Sequence, residues 1–172
     1  FEALQKSGKV FIRHFHSTPM LVASVMNISI PQLLESPIPS VVIAQFQERF
    51  YPNARVVPNI IPQDAPFYRP IEEECVCHDI FFSPSSSMDT WSDRWNTKGS
   101  LDTVAIMKKV ASKTACKIRC ITVRPLIEIL KEKRKARIII DELITGSYHL
   151  SGLEGLSLGK PTLCFLDNRV QF

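Results

Sequence analysis

Apolar positions along the chain fall into short runs separated by punctuation, and the runs alternate in kind. Lys9-Val-Phe-Ile-Arg-His14 is a continuous β-prone stretch and predicts a buried strand. Ser17-Thr18-Pro19 follows as a helix start, a hydroxyl cap with Pro in the first turn, and apolar residues then recur at Met20, Leu21, Ala23 and Met26. Ser36-Pro37-Ile38-Pro39 breaks the chain before Ser40–Ala44, which reads as a second strand. Gln45–Tyr51 predicts a short helix stopped by Pro52, and Arg55-Val56-Val57 a third strand.

Pro58, Pro62, Pro66 and Pro70 then recur at even intervals. Each fixes φ and removes an amide donor, so this stretch reads as a stiff linker rather than regular structure. The expected organisation is therefore a first piece over 1–57, a linker over 58–70 and a second piece over 71–172.

Alternation is cleaner in the second piece. Asp79–Phe82 reads as a strand, followed by a Ser-rich loop from Ser83 to Thr97. Leu101–Ser112 shows helical periodicity, with Lys108, Lys109 and Lys113 towards the end that a helix dipole favours for cations. Lys117–Val123 alternates at period two as a strand, and Pro125–Lys135 is helical. Ala136–Asp141 is a strand, Leu150–Leu158 a helix whose Leu150, Leu153 and Leu156 are expected to face inward, and Pro161–Leu166 a last strand. Strands alternating with helices at this spacing predict parallel sheets joined by crossovers, an α/β fold.

Composition changes this picture little. With 45% hydrophobic and 22% charged residues the chain is of the globular class, and no apolar run approaches the ~20 residues needed to cross a bilayer. A balance of 21 Lys+Arg against 17 Asp+Glu, net +4, is too small to argue for nucleic acid as a partner. The ends carry neither the charged n-region nor the apolar h-region of a secretory signal, and the last strand stops close to the terminus. The expectation is an incomplete chain from a cytoplasmic protein.

Cys75, Cys77, Cys116, Cys120 and Cys164 are an odd set, read as free thiols of a reducing compartment. Cys75-x-Cys77-His78 suggests metal, but structural zinc sites space paired cysteines by two to four residues and need a second pair, so no metal is expected.

Chemistry in an open parallel sheet gathers at the carboxyl ends of strands. Three loops qualify: 83–100, 122–125 and 141–149. Lys98-Gly99-Ser100 sets a cation beside a flexible Gly at a helix start, an arrangement open both to anion binding and to plain solvation. No phosphate-binding G-x-x-x-x-G-K-[ST] loop or dinucleotide G-x-G-x-x-G occurs. Glu154 lies beside the Leu stripe of its helix, where a carboxylate can accept two hydroxyl protons or can compensate the helix N-terminus. Trp91 and Trp95 read as cover for a sheet edge or as a stacking surface. The cationic run Lys131–Arg137 reads as dipole compensation, with an anionic membrane surface as the alternative partner.

Gly146-Ser-Tyr-His-Leu-Ser-Gly-Leu-Glu154, running on to Gly159-Lys160-Pro161, resembles the donor-binding signature of retaining glycosyltransferases with two Rossmann-like domains (GT-B architecture). Pro84-Ser85 with Asn96-x-Lys98-Gly99 is similar to the phosphate-facing loop of that family, and Val57–Ile61 up to Tyr68-Arg69-Pro70 to its crossing between domains. The resemblance spans roughly residues 9–166 and implies two incomplete Rossmann-like domains. By it, Glu154 would hold the ribose, and Gly146, Ser147 and Tyr148 would belong to the donor loop. His149 and Leu150 would lend amides to the diphosphate, and Lys98 would offset charge on the leaving group. Ser85 would line the same loop, and His16, after the first strand, would face the sugar.

It further implies a nucleotide-diphosphate sugar as donor, an unidentified acceptor of envelope polysaccharide or glycolipid type, and peripheral contact with the inner membrane face. No cofactor is implied, and no Asp-x-Asp metal motif occurs. Where the family carries the first Glu of its pair, this chain has Gly146; Glu142 could substitute only if the loop folds back. That departure keeps a second reading open, a non-catalytic nucleotide- or partner-binding module on the same fold.

Overall fold

The structure, a computed structural model, describes residues 6–44, 47–71, 75–84, 99–144 and 146–167. It divides into two units, Phe1–Asn59 and Ile60–Phe172. Both are α/β with all-parallel, Rossmann-like sheets, one of three strands and one of four.

In the first unit β1 (Arg13–Phe15), β2 (Ser40–Ile43) and β3 (Arg55–Val57) pair in chain order. Between β1 and β2 run α1 (Pro19–Met26) and α2 (Ile30–Leu34). The second of these was not anticipated. Its signal is a capping box, in which the Ser29 side chain accepts from the Gln32 amide while the Gln32 side chain accepts from the Ser29 amide. The helix expected over 45–51 is a 3₁₀ turn, Gln47–Phe50. Phe15, Ala23, Leu33, Val42 and Tyr51 form the core, with Phe15 and Tyr51 stacked at 4.2 Å.

In the second unit β4 (His78–Phe82), β5 (Ile118–Cys120), β6 (Ala136–Ile140) and β7 (Thr162–Leu163) lie in the order β5-β4-β6-β7. Helices α3 (Ser100–Thr114), α4 (Leu126–Arg134) and α5 (Leu150–Ser157) make the crossovers that parallel strands require. Neighbouring residues of the central strands serve opposite faces. Phe81 and Ile139 pack with Ile129 of α4, and Phe82 and Ile140 with Met107 of α3, so both faces are covered.

The Pro-rich stretch falls with the second unit from Ile60 onward. Tyr68, in a 3₁₀ turn at Pro66–Tyr68, packs on Leu130 and Leu158. One guanidinium nitrogen of Arg134 donates to the Phe67 carbonyl at 2.8 Å, with the Pro66 and Arg69 carbonyls at 3.4 and 3.3 Å. Prolines leave carbonyls without the partners a regular element would give, and a buried Arg collects them.

Candidate functional site

The strand order identifies one crevice. The chain leaves β4 on one side for β5, returns through α4, and continues on the other side through β6 and β7. The order thus reverses between β4 and β6, and ligands of open parallel sheets collect outside the carboxyl ends at such a point. Two described stretches open there: Gly99, just before α3, and the loop that runs from Asp141 to His149. They meet directly. Gly99 has φ +64, and a Cβ on it would run into the Ile144 side chain, so this approach requires glycine twice over, for its backbone and for its size.

Gly146 is shaped by the same demand. Its φ is +74, a region L side chains rarely adopt, and an added Cβ would come 2.9 Å from an Asp167 carboxylate oxygen. The Asp167 amide donates to the Gly146 carbonyl at 3.0 Å, tying the loop to the chain after β7. A glutamate side chain does not fit this backbone without movement.

Beneath the loop lies a cluster of buried charge. Asp141, Glu142, Ser147, His149 and Glu154 are buried, and so is Lys133. Asp141 accepts the His149 amide at 2.7 Å, and Glu142 accepts the Ile144 amide at 3.1 Å, both through side-chain oxygens. The His149 Nδ1 stands 3.9 Å from Asp141 and 4.0 Å from Glu142. The three donor positions of the Lys133 ammonium are matched by the Ser151 carbonyl at 2.8 Å, the Ser151 Oγ at 2.9 Å and the Glu154 Oε2 at 2.6 Å. Burial pulls the Lys133 pKa down, and Glu154 opposes that shift by its charge and hydrogen bond.

Each residue singled out in the sequence can now be located. Glu154 is not an open carboxylate beside a leucine stripe; it is paired inside with Lys133. The stripe itself is misplaced: Leu150 is exposed, Leu156 is 61% exposed, and the buried positions of α5 include Gly152, Glu154 and Gly155. The glycines let the helix lie close on the sheet. A Cβ on Gly152 would meet Asp141 at 2.6 Å, and one on Gly155 would meet Thr162 at 2.5 Å.

The His149 amide, expected to face a diphosphate, is engaged by Asp141. Leu150 begins α5, and its amide and that of Ser151 belong to the first turn, where a helix leaves amides without intrahelical acceptors. Ser147 is fully buried and Tyr148 half-buried. Glu142, the substitute considered for the absent glutamate, is buried and holds its own loop. Ser85, Lys98, Trp91 and Trp95 lie outside the described residues.

His16 follows β1 in the first unit, exposed, with its Nε2 3.2 Å from the His14 Nδ1. Its carbonyl accepts from Gln47 at 3.3 Å. The five cysteines are free thiols. His78 is buried, its Nε2 donating to the Glu132 carbonyl at 2.9 Å, and burial lowers its pKa. Among the described residues no three His, Cys, Asp or Glu side chains converge to hold a metal. Of the cationic run, Lys133 and Arg134 face inward, Lys135 pairs with Glu132 at 2.7 Å and Arg137 with Asp79 at 3.2 Å.

Sequence reasoning missed Lys133 and Asp141 as supports of the loop. Lys133 and Arg134 fall on the same helical face as the buried Ile129 and Leu130, which is the signal that could have separated them from the solvated part of the run. No described helix is long and apolar enough to cross a membrane. No family model matches the chain, and no curated protein matches its sequence.

Proposed function

We propose that the second unit is the nucleotide-diphosphate-sugar-binding half of a glycosyltransferase of GT-B architecture, and the first unit part of its acceptor half. The observation that carries this reading is the convergence of two loops at the strand-order reversal, through Gly99 and Ile144. They are the same two loops that carry the sequence resemblance. The first-turn amides of Leu150 and Ser151 are the diphosphate contacts, since a helix N-terminus offers unsatisfied donors and a favourable dipole. Lys98, one residue before Gly99, supplies the cation for the departing diphosphate. Glu154 then acts at one remove: its ion pair with Lys133 fixes the start of α5, and the ribose contact is made by another group.

The acceptor reading, with a glycolipid or polysaccharide acceptor at a membrane face, extends the same proposal. A second reading, a non-catalytic binding module, is favoured by two observations: Glu154 is occupied by Lys133, and the Gly146 backbone does not accept a glutamate without movement.

Calorimetric titration with UDP, GDP and ADP and their sugars, beside Lys98→Ala, tests the proposal. Binding of one nucleotide series that Lys98→Ala weakens by about tenfold or more supports the enzyme reading, a loss of the size of one strong charge contact. Nucleotide binding without sugar release from the matching donor supports the module. Binding of none overturns both as nucleotide sites.

A further inference from the structure

The outer edge of the second sheet presents a different surface. Among the described residues β5 pairs with β4 alone, and its far side is a sheet edge. The Lys117 carbonyl and the Ile121 amide both bond to β4, accepting from Asp79 and donating to Phe82. By alternation, the N–H and C=O groups of Ile118 and Cys120 point away from β4, along the open edge.

A groove flanks this edge on each face. On one, Val104, Met107, Ala111, Ile118 and Cys120, with Cys116 and the single cation Lys108, line a mainly apolar groove of about 340 Å³. On the other, Arg119, Arg124, Lys131 and Lys135, with Glu128 and Glu132, line a groove of about 400 Å³. Four cations stand against two carboxylates, and Glu132 is already shared between Arg119 at 3.5 Å and Lys135 at 2.7 Å. Arg124 and Lys131 hold no ion pair among the described residues. Arg124 also follows Val123, which has φ +49, a left-handed conformation that a β-branched residue enters only under constraint.

A strand sends successive side chains to opposite faces, so an added strand would meet both grooves at once. We propose that the β5 edge is a docking site for an extended segment of a partner protein in which apolar and acidic side chains alternate. Main-chain bonds to Ile118 and Cys120 give affinity, the apolar groove takes every second side chain, and the cationic groove takes the carboxylates between them. A second copy of this chain suits the edge poorly, because β5 would bring Lys117 and Arg119 to an already cationic face.

The test is fluorescence anisotropy of a labelled, capped Val-Glu-Val-Glu-Ile-Glu-Val peptide with the full chain. Two comparison peptides carry Lys for Glu or the same residues with apolar and acidic blocks segregated. The proposal expects saturable binding of the first peptide and about tenfold or weaker binding of the other two, since like charges and wrong register both disfavour docking. Cys120→Pro removes an outward amide without touching the β4 ladder and is expected to abolish binding with the thermal midpoint retained. Arg124→Glu with Lys131→Glu, both away from the ladder, is expected to weaken it by about tenfold or more.

Equal binding of all three peptides, no binding, or binding indifferent to both the Pro and the Glu variants would overturn the proposal. So would self-association of the chain that Cys120→Pro abolishes, which would assign the edge to a second copy.

Discussion

The two units use the same parallel α/β construction but bury different things. The first buries Phe15, Ala23, Leu33, Val42 and Tyr51 and little charge, leaving Met20, Val25 and other apolar side chains of α1 exposed. The second buries Lys133, Arg134, Asp141, Glu142, His149 and Glu154, most of them at the carboxyl end of β6 or under the start of α5. Burying charge is costly and is tolerated only where partners are close, and here they are: Glu154 and Ser151 on Lys133, and the His149 amide on Asp141. The charged cluster fixes the 141–149 loop as well as supporting it.

The largest effect on the charged unit is expected from Lys133→Ala. It leaves the Glu154 carboxylate buried without its counter-charge, and the expected loss is about 3–5 kcal/mol from the second unit. Denaturant unfolding would measure it, and the double replacement Lys133→Met with Glu154→Leu should recover most of that loss. If the single and double variants are equally destabilised, the ion pair is not the element that holds α5.

Gly152→Ala comes next. Helix propensity alone favours Ala, but its Cβ would meet Asp141 at 2.6 Å, and a net loss of about 1–3 kcal/mol is expected. In the first unit, Tyr51→Phe removes the hydrogen bond that the Tyr51 hydroxyl donates to the Ser17 carbonyl at 2.8 Å, costing about 1 kcal/mol. Burial pushes the Tyr51 phenol up to about 12, so spectrophotometric titration should show a late ionisation that Tyr51→Phe removes.

Smallest is a pH effect on the second unit through His78. Its folded pKa lies below the ordinary 6.5, so between the two values the unfolded chain binds more protons. Stability from this residue is therefore full above 6.5 and is lost as pH falls through the folded pKa. Thermal midpoints at pH 7 and pH 5 should differ less in His78→Gln than in the parent chain.

Much of the fold was legible because its strands are short β-prone runs between strong breakers. Arg55–Val57 and the strand beginning at Ala136 fall where the sequence puts them, and each later helix lies within a residue or two. What was not legible is which face of a helix turns inward. In α3, Leu101 is exposed while Ser100 and Thr103 are buried, and in α5 the leucines yield to glycines. Close approach to a sheet selects for small size, and a hydropathy pattern does not register size. Charge is misread in the same way. Lys131–Arg137 looks uniform along the chain, yet Lys133 and Arg134 are turned in by helical phase and matched by Glu154, Ser151 and the carbonyls at 66–69. Those partners are distant in sequence, so no local window contains them.

The Gly146 position teaches a related point. As a departure from a family pattern it reads as a lost functional group; in the fold it is a backbone requirement, with φ +74 and Asp167 against it. The site was legible as a pair of loops and not as a set of contacts.

The central claim concerns where a nucleoside diphosphate touches the second unit. Amide-resolved NMR of the labelled chain, titrated with UDP, GDP and ADP in turn, reads that location. The predicted result is saturable shifts for one nucleotide at the amides of Leu150 and Ser151, spreading to Gly146 and Gly99, with the β5 edge unmoved. Shifts confined to the Arg119–Arg124 groove, or none for any nucleotide, would contradict it.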